Sequence, residues 1–378
     1  MFATQQEVRT HAVREDDLLV AEGGDVGRSE FAPPLHPRTI FQNSLHRVRL
    51  RGAGDIRFVR YALASIYSSG WLDVLCNRAT FGHLTVEKLR QLQIPWPEPS
   101  EQRAIADYLD TETSRIDTLI TKKRRMIELL EERMLHTARA LTTSLDNAAP
   151  LRRFVRAVKT GTTPPARQLG QLVGEEVSWY SPGDVGTNLE MLPPARRLTR
   201  QALTEGWTPK FPPDSTLIVG IGATAGKVGH NRLLSTGNQQ MTCIASNARL
   251  LPRFLSWQLW ARSDELRETA PYTTLPIVNN DFLRSLPISA PPMQRQQDIV
   301  NRLDRSADRA HAVIERLRAQ IDLLSERRQA LITAAVTGEL PIRAEGVVTP
   351  PLDRERTPLP RRITPTAPVS PLIIEDRR

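Results

Sequence analysis

A glycine-rich segment that ends in a basic residue offers the clearest chemistry in this sequence. Val219-Gly-Ile-Gly-Ala-Thr-Ala-Gly-Lys227 follows a short apolar run, and backbone N–H groups in such a loop can surround a phosphate. A Walker loop, however, needs glycine where Ile221 stands and serine or threonine where Val228 stands. We therefore interpret the segment as a tight turn between strands, in which glycine supplies positive φ and Lys227 is available to a nucleic acid.

A run of side-chain amides, Asn238-Gln239-Gln240, follows this loop, and Gln42-Asn43 holds the corresponding place near the N-terminus. Asparagine and glutamine can make two hydrogen bonds to adenine in a major groove, so base recognition is one interpretation of both runs. The other is that these amides are satisfied within a turn or the core. The sequence leaves both interpretations open.

Basic residues are concentrated between residues 150 and 290, where the formal charge is +6, whereas residues 96–149 carry −2. Many basic clusters are only solvated surface, but this distribution favours a phosphate-contacting surface in the later segment. The candidate DNA-contacting residues are therefore Arg28, Gln42, Asn43, Arg152, Arg153, Lys159, Thr162, Thr163, Lys227, Asn238, Gln239 and Gln240.

The sequence motifs that would indicate catalysis are missing. The seven histidines form no H-x-x-x-H or H-E-x-x-H motif, and no G-x-S-x-G elbow or nuclease-like carboxylate pattern occurs. Cys76 and Cys243 form no C-x-x-C pair, which argues against a disulfide framework or a zinc site and predicts two buried thiols. We therefore expect a non-catalytic protein that carries no metal or cofactor of its own.

The elements that must position these residues are organised by an internal repeat. Leu92-Gln-Ile-Pro-Trp-Pro-Glu-Pro returns as Leu286-Pro-Ile-Ser-Ala-Pro-Pro-Met at an offset of 194 positions, and the match continues without a gap. Matched pairs further along include Ile105 and Ile299, Leu109 and Leu303, Asp110 and Asp304, Arg115 and Arg309, and Ile127 and Ile321. This spacing indicates that each copy follows a different, larger unit.

Both copies of the repeat are predicted to be long helices. Apolar positions recur at alternating steps of four and three residues, which is the spacing of a coiled-coil seam. Proline-rich stretches precede both helices, and the second ends at Gly338 and Pro341. A lone helix of this kind would expose its seam, so we predict an intramolecular two-helix coiled coil. The seam residues are Leu109, Ile116, Ile120, Ile127, Leu130, Leu303, Ile314, Leu317, Ile321, Leu324 and Leu331.

The segments that precede the two helices share one plan. The run from Asp17 to Arg28 aligns with the run from Thr216 to Lys227 and keeps two of its glycines, whereas about 60 residues before Pro212 have no counterpart upstream. The predicted organisation is an N-terminally truncated first domain at 1–95, a helix at 96–149, a second domain at 150–290, a helix at 291–340 and a disordered Pro/Arg-rich tail at 341–378. Since no secretion signal or long apolar run occurs, we expect a cytoplasmic protein.

The duplicated stretch, from Leu92 through Glu132-Arg133 and again to Gly338-Glu-Leu340, resembles the conserved helical regions of type I restriction-modification specificity subunits. The likeness covers residues 1 to 340. The resemblance implies an α+β fold with two mixed α/β target recognition domains, the first truncated, joined by two long helices in an antiparallel coiled coil that holds the domains in inverted orientation. It also implies that each domain reads one half of a bipartite double-stranded DNA site and that the helices set the distance between the halves.

The same resemblance implies methyltransferase and restriction subunits as partners, which would bind AdoMet, ATP and Mg²⁺ in place of this chain. Our hypothesis is therefore a specificity subunit that directs these partners to DNA. The shortened first domain leaves a second hypothesis open, namely an inactive or scaffold-only remnant of such a subunit. A self-contained DNA-modifying enzyme would need AdoMet or ATP bound by the isolated chain.

Overall fold

The fold is mixed α and β, as predicted. The computed structural model describes residues 5–36, 39–76, 83–143, 148–269, 277–343, 346–347 and 372–375. The helices are α1 Gln5–His11, α2 Ile56–Ser68, α3 Trp71–Leu75, α4 Val86–Gln91, α5 Pro99–Thr142, α6 Ala166–Leu172, α7 Gln201–Thr204, α8 Pro252–Trp260, α9 Ser263–Thr269, α10 Asn280–Ser285 and α11 Met293–Thr337, with 3-10 turns at Leu151–Arg153 and Pro182–Asp184. The strands are β1 Leu18–Ala21, β2 Ser29–Phe31, β3 Leu45–Leu50, β4 Ala149–Pro150, β5 Val155–Thr160, β6 Val173–Tyr180, β7 Arg197–Leu198, β8 Ser215–Val219, β9 Val228–Asn231, β10 Ser235–Gly237, β11 Met241–Ser246, β12 Pro287–Ile288, β13 Ile342–Arg343, β14 Gly346–Val347 and β15 Leu372–Glu375.

The chain divides into two compact units. The first unit comprises residues 1–124 and 318–378, and the second comprises residues 125–317. The division falls within both long helices, so each unit contains part of α5 and part of α11. The predicted boundaries at residues 95, 149 and 290 instead follow the ends of the helices, near Pro99, Thr142 and Met293.

The first unit is built on a four-stranded sheet in the order β15-β3-β1-β2, with all neighbouring strands antiparallel. Helix α2 covers this sheet and buries Phe58, Val59 and Tyr61. Asp55 caps the helix, because its side chain accepts a hydrogen bond from the Arg57 N–H at 2.9 Å. These elements share one core with the apolar side chains of β1 and β3.

Strands occur within the predicted disordered tail at 341–378, at Ile342–Arg343, Gly346–Val347 and Leu372–Glu375. β13 pairs with β14, and β15 adds an edge strand to the sheet of the first unit. Leu372-Ile-Ile-Glu375 is apolar and β-branched, which favours a strand, and the side chains of Leu372 and Ile374 are only 6% and 3% exposed. Burial of these two side chains is the physical reason for order at this point. The other residues of the predicted tail, 344–345, 348–371 and 376–378, lie outside the described residues.

The second unit is built on a four-stranded sheet in the order β5-β11-β8-β9, again with antiparallel neighbours. Its two central strands, β8 and β11, are buried along their whole length. Helix α8 packs against this sheet through fully buried side chains that include Phe254, Leu255 and Trp257. A smaller sheet in the order β10-β6-β7 completes the unit.

Within the first unit, the beginning of α5 packs antiparallel against the end of α11. Arg328 Nε lies 3.0 Å from Asp117 Oδ1, and Lys123 Nζ donates a hydrogen bond to Gln320 Oε1 at 2.6 Å. As residue numbers rise along α5, the numbers of the partner residues on α11 fall. The two helices therefore run in opposite directions. Apolar side chains of both helices join the core of the unit there.

Within the second unit, the end of α5 packs against the beginning of α11. Met134 and Ala138 share one core with Leu303 and Ala307, and the hydroxyl of Ser306 lies 3.3 Å from the sulfur of Met134.

The predicted seam residues fall into two burial groups along both helices. Leu109, Ile116, Ile120, Leu303, Ile314 and Leu317 are buried, whereas Ile127, Leu130, Ile321, Leu324 and Leu331 are partly buried.

In the first unit, a buried glutamine attaches α5 to the residues that precede α2. The side chain of Gln102 is fully buried; its Oε1 accepts a hydrogen bond from the Asp55 N–H at 3.0 Å, and its Nε2 donates to Pro97 O at 2.8 Å. About two turns further along, Asp110 accepts hydrogen bonds from Arg57 at 2.8 Å and from the hydroxyl of Tyr61 at 2.6 Å. Burial, assisted by this hydrogen bond, raises the pKa of Tyr61 to about 12.

The second unit repeats this junction with the matched residues. Gln296 is fully buried; its Oε1 accepts from the Leu251 N–H at 2.8 Å, and its Nε2 donates to Pro291 O at 2.7 Å. Asp304 accepts hydrogen bonds from Arg253 at 3.1 Å and from the indole N–H of Trp257 at 2.8 Å. These side chains hold α8, and with it the sheet, at a defined position on α11.

None of the helices that the structure describes is long and apolar enough to span a membrane.

Candidate nucleic-acid interface

Four loop segments meet at one end of the large sheet of the second unit. We call this surface the second loop edge; it comprises residues 160–163, 220–227, 237–240 and 277–280. Backbone hydrogen bonds connect the segments: the Gly161 N–H donates to Met241 O at 2.8 Å, the Gly220 N–H to Gln240 O at 2.7 Å, and the Val278 N–H to Gly220 O at 2.8 Å. The backbone of these loops is therefore held in place by the sheet itself.

The glycine-rich segment is the hairpin turn between β8 and β9, as the sequence predicted. The Val219 N–H donates to Lys227 O, and the Gly226 N–H donates back to Val219 O, both at 2.9 Å. Gly226 has a φ of +87°, and an added Cβ would lie 2.7 Å from Ser263 O. The turn therefore requires glycine, and it carries the half-buried Lys227 at its end.

The amide run of the second loop edge contains amides that bond within the turn and an amide that is exposed to solvent. The two interpretations that the sequence left open therefore apply to different residues of the run. Asn238 Oδ1 accepts from the Gln240 N–H at 3.0 Å, and Gln240 Nε2 donates to Ile221 O at 3.5 Å, so these two side chains bond within the turn. Gln239 is exposed, and its side chain accepts a hydrogen bond from the hydroxyl of Thr163. Gln239 and Thr163 therefore face solvent together.

The first unit has a corresponding surface, the first loop edge, which comprises residues 22–28, 42–44 and 83–84. The Glu22 N–H donates to Ser44 O at 2.8 Å, and the Leu84 N–H donates to Glu22 O at 2.9 Å. These two bonds match those of Gly220 with Gln240 and of Val278 with Gly220. Both units therefore bring the glycine turn, the amide run and a later loop together.

The turn of the first loop edge is also a glycine hairpin. The Ala21 N–H donates to Arg28 O at 2.9 Å, the Gly27 N–H donates to Ala21 O at 2.8 Å, and Gly27 has a φ of +85°. The side chain of Arg28 is 74% exposed and lies 3.4 Å from Asp25, an exposed ion pair of little energetic weight. Gln42 and Asn43 are exposed beside this turn.

The remaining candidates are divided between the two ends of β5. Lys159 and Thr162 are exposed at the end that enters the second loop edge. Arg152 and Arg153 are exposed in the turn before β5, at the opposite end of that strand, where Arg153 O accepts hydrogen bonds from Asn247 and Arg249. The structure therefore does not bring this arginine pair to the loop edge.

The second loop edge also contains residues that were not among the predicted DNA-contacting candidates. Thr160 donates a hydrogen bond to Asn280 Oδ1 at 3.2 Å, and Gly161 approaches the strand opposite so closely that an added Cβ would lie 2.1 Å from Gly237 O. Asn280 stands shortly before Leu283-Arg284, which repeats Leu89-Arg90 at the offset of 194 positions, and this repeat was the available signal in the sequence. The close approach of the Gly161 and Gly237 backbones could not be predicted from a single sequence, because no local residue pattern indicates it.

The thiol of Cys243 lies buried on β11 of the second sheet. Burial raises the pKa of the Cys243 thiol to about 11, so the thiol stays protonated at neutral pH. Both cysteines are free and buried, which confirms the prediction for them. Among the described residues, no group of three or more His, Cys, Asp or Glu side chains could hold a metal ion.

A family model matches the chain in two separate stretches. The family model for the type I restriction modification DNA specificity domain matches residues 4–129 and, separately, residues 155–323. Each match contains one loop edge.

Solved structures also match this chain, at sequence identities below 20%. A chain from a structure described as the basis of complex assembly and conformational transition of the type I R-M system is 19% identical, with a TM-score of 0.67 over 87% of this chain and 83% of that chain. The HsdS subunit from Thermoanaerobacter tengcongensis is 17% identical, with a TM-score of 0.45 over 87% and 82% of the two chains. The type I S subunit from M. genitalium is 16% identical, with a TM-score of 0.42 over 86% and 84%. Because the family model covers well over half of its residues, this chain belongs to the type I restriction modification DNA specificity family.

Proposed function

We propose that this chain reads a bipartite double-stranded DNA site, one half with each loop edge, and directs methyltransferase and restriction subunits to it. In this role the chain is non-catalytic and acts in the cytoplasm. AdoMet, ATP and Mg²⁺ would belong to the partner subunits.

One observation carries this proposal, namely that two independent units present the same loop edge. In each, a hairpin glycine with positive φ precedes a basic residue, Arg28 or Lys227, and an amide run lies beside it. A guanidinium or ammonium group positions a protein on phosphates, whereas exposed amides and hydroxyls can read base edges. The exposed amides Gln42, Asn43 and Gln239 are therefore the residues assigned to base contacts.

A duplicated reading surface fits the proposed function better than a scaffold-only remnant. The first unit has its own apolar core, in which Leu18, Val20 and Phe58 are at most 1% exposed. Its loop edge is connected by two backbone hydrogen bonds that match two of those in the second loop edge. A remnant under no demand to read DNA has no physical reason to keep an exposed arginine and exposed amides at that edge.

The test is selection of bound duplexes from a random DNA library by the chain assembled with its methyltransferase subunits. We expect two short specified segments separated by an unspecified spacer, with affinity that falls as salt rises. Arg28→Ala should weaken binding through one segment and Lys227→Ala through the other, each reducing the salt dependence by about one phosphate contact.

Matched controls use arginines at the far ends of the same sheets. Arg51 follows β3 and Arg232 follows β9, and both are exposed. Arg51→Ala and Arg232→Ala should leave the selected site and the salt dependence unchanged. Selection of no preferred sequence at any salt concentration, or equal effects of all four variants, would contradict the proposal.

A further inference from the structure

The two large sheets have the same strand order, but their edge strands come from different parts of the chain. In the second unit the edge strand is β5, which lies about 80 residues before its neighbour β11. In the first unit the edge strand is β15, which lies more than 300 residues after its neighbour β3. Among the described residues before β1 there is no strand that could occupy this edge.

β15 and β5 are equivalent in direction and register as well as in position. Both run antiparallel to their neighbour, with Ile374 opposite Val48 and Val158 opposite Ile244. Val48 and Ile244 are equivalent because their partners on the next strand, Leu18 and Thr216, each stand three residues before the residue that closes the glycine hairpin, Ala21 or Val219. The two edge residues are buried to the same degree, with Ile374 at 3% and Val158 at 6% exposed. A strand shifted by one residue would turn its apolar side chains to the other face of the sheet. Burial of Ile374 and Val158 therefore specifies the register of each strand.

The contacts beyond the sheet repeat as well. Helix α4 packs beside β15 as α10 packs beside β5, and the two helices are matched elements of the internal repeat. From α4, the guanidinium of Arg90 donates a hydrogen bond to Ile374 O at 3.0 Å. Leu372 and Ile374 belong to the same apolar core as Leu18 and Val48. The strand is therefore held on its backbone and on its buried face.

We propose that the edge of β3 opposite β1 is a strand-binding site whose occupant is the chain's own segment Leu372–Glu375. This segment occupies the place that β5 has in the second unit, and the first domain needs it in order to present the first loop edge. Main-chain pairing provides the affinity, and the buried side chains of Leu372 and Ile374 provide the register. The consequence for DNA rests on the proposed function, whereas the strand pairing does not.

Cross-linking in the full chain tests the pairing directly. Leu50 and Leu372 are directly opposite in the register, so the Leu50→Cys/Leu372→Cys variant should form an intramolecular disulfide on mild oxidation. Leu45→Cys/Leu372→Cys is the control, because Leu45 lies five residues away along β3, about 17 Å, and should not cross-link. A cross-link at Leu45, none at either position, or one between two chains would overturn the assignment.

Peptide binding tests whether the site can be filled from outside. A chain ending at Ser370 should bind a labelled peptide of residues 369–378, whereas the full chain should bind it only weakly because its site is occupied. The same peptide with Ile374→Asp should bind more weakly by on the order of tenfold or more, because it loses one buried aliphatic side chain. Equal binding of the peptide by the shortened and full chains would overturn the proposal.

Hydrogen exchange provides the measurement if the shortened chain is unstable. In the full chain, amides of β3 should exchange more slowly than in the Ile374→Asp variant, while those of β11 stay unchanged. Val74→Asp is the control, since Val74 is 70% exposed in the same unit. Unchanged protection of β3 in Ile374→Asp would overturn the proposal.

The DNA consequence is read separately. In the selection assay, the chain ending at Ser370 should lose one specified segment and regain it when the peptide is added. If cross-linking and peptide binding succeed but no specified segment depends on the strand, the strand site stands and its link to DNA reading fails. If either cross-linking or peptide binding fails, the strand site fails whatever the DNA result.

Discussion

Gln102 and Gln296, which stand 194 positions apart, make the same two hydrogen bonds in two different units. Each is completely buried near the start of a long helix. Each accepts from the backbone N–H just before the helix that covers the sheet and donates to a proline carbonyl in the preceding turn. The repeat is therefore a duplicated junction between a domain and its helix, and not only two similar helices.

Removing this amide should destabilise the unit that contains it. Gln102→Leu and Gln296→Leu each leave a buried N–H and a buried carbonyl without their partner, which costs about 1–3 kcal/mol. Urea unfolding should show the loss. Gln297→Leu is the control, because Gln297 is exposed on the same helix. An effect of Gln296→Leu no larger than that of Gln297→Leu would show that the junction is not important for stability.

The carboxylate of Asp304 should stabilise the second unit by orienting Arg253 and Trp257. Asp304→Asn keeps the shape of the side chain but removes the charge and one acceptor, with an expected cost of about 1–2 kcal/mol in the free energy of unfolding. Asp308→Asn, at an exposed position of the same helix, should cost much less. Trp257→Phe on the Asp304→Asn background should then cost less than on the parent chain, because the two changes remove a shared hydrogen bond.

The second loop edge should be intolerant of a single added methyl group at Gly161. A Cβ there would lie 2.1 Å from Gly237 O and 2.4 Å from Asn238 O, and both are backbone atoms. Gly161→Ala should lower the free energy of unfolding by about 1–3 kcal/mol, because the loops must separate to admit the Cβ. The loss in the free energy of DNA binding should be larger than this loss of stability, because the loops that separate form the loop edge. Gly170→Ala, where nothing lies within 4 Å, should be neutral or stabilising in its helix. Normal stability and DNA binding of Gly161→Ala would contradict this close approach.

The stability of the second unit should fall on acidification because of His230. Burial, with the nearby charge of Arg253, lowers the pKa of His230 to about 4, even though Asp214 lies 3.4 Å from its Nε2. In the unfolded chain the histidine takes up a proton near pH 6.5, so stability is full above that pH and is lost towards pH 4.

The expected loss is on the order of 2–3 kcal/mol between pH 7 and pH 4.5. Unfolding curves of His230→Asn over this range should show a smaller dependence on pH than those of the parent chain, although its stability at pH 7 is lower. Parallel curves for the two proteins would mean that the histidine is not kept neutral by the fold.

Much of the fold was predictable because it depends on periodic or repeated residues. The alternation of four and three residues predicted the long helices, and the glycines at positions 27 and 226 predicted hairpin turns with positive φ. The family was predictable from the duplicated stretch, and the family match confirms it. Burial of both cysteines followed from their number and spacing.

The candidate site was only partly predictable, because amides are chemically alike in a sequence. Asn238 and Gln240 bond within their turn while Gln239 between them is exposed, and this difference arises from backbone geometry. Likewise, the basic cluster of Arg152 and Lys159 is contiguous in sequence, but a strand places its members at opposite ends. Charge counting cannot distinguish the two ends of a strand.

By itself the sequence determined the repeat, the helices and the family, because these depend on residue type and spacing along the chain. Only the tertiary structure decided which residues share a loop edge and that Leu372–Glu375 supplies a strand to the first sheet. Both are contacts between distant segments, and their stability comes from main-chain pairing and buried area. Neither is encoded in the local pattern of any one segment.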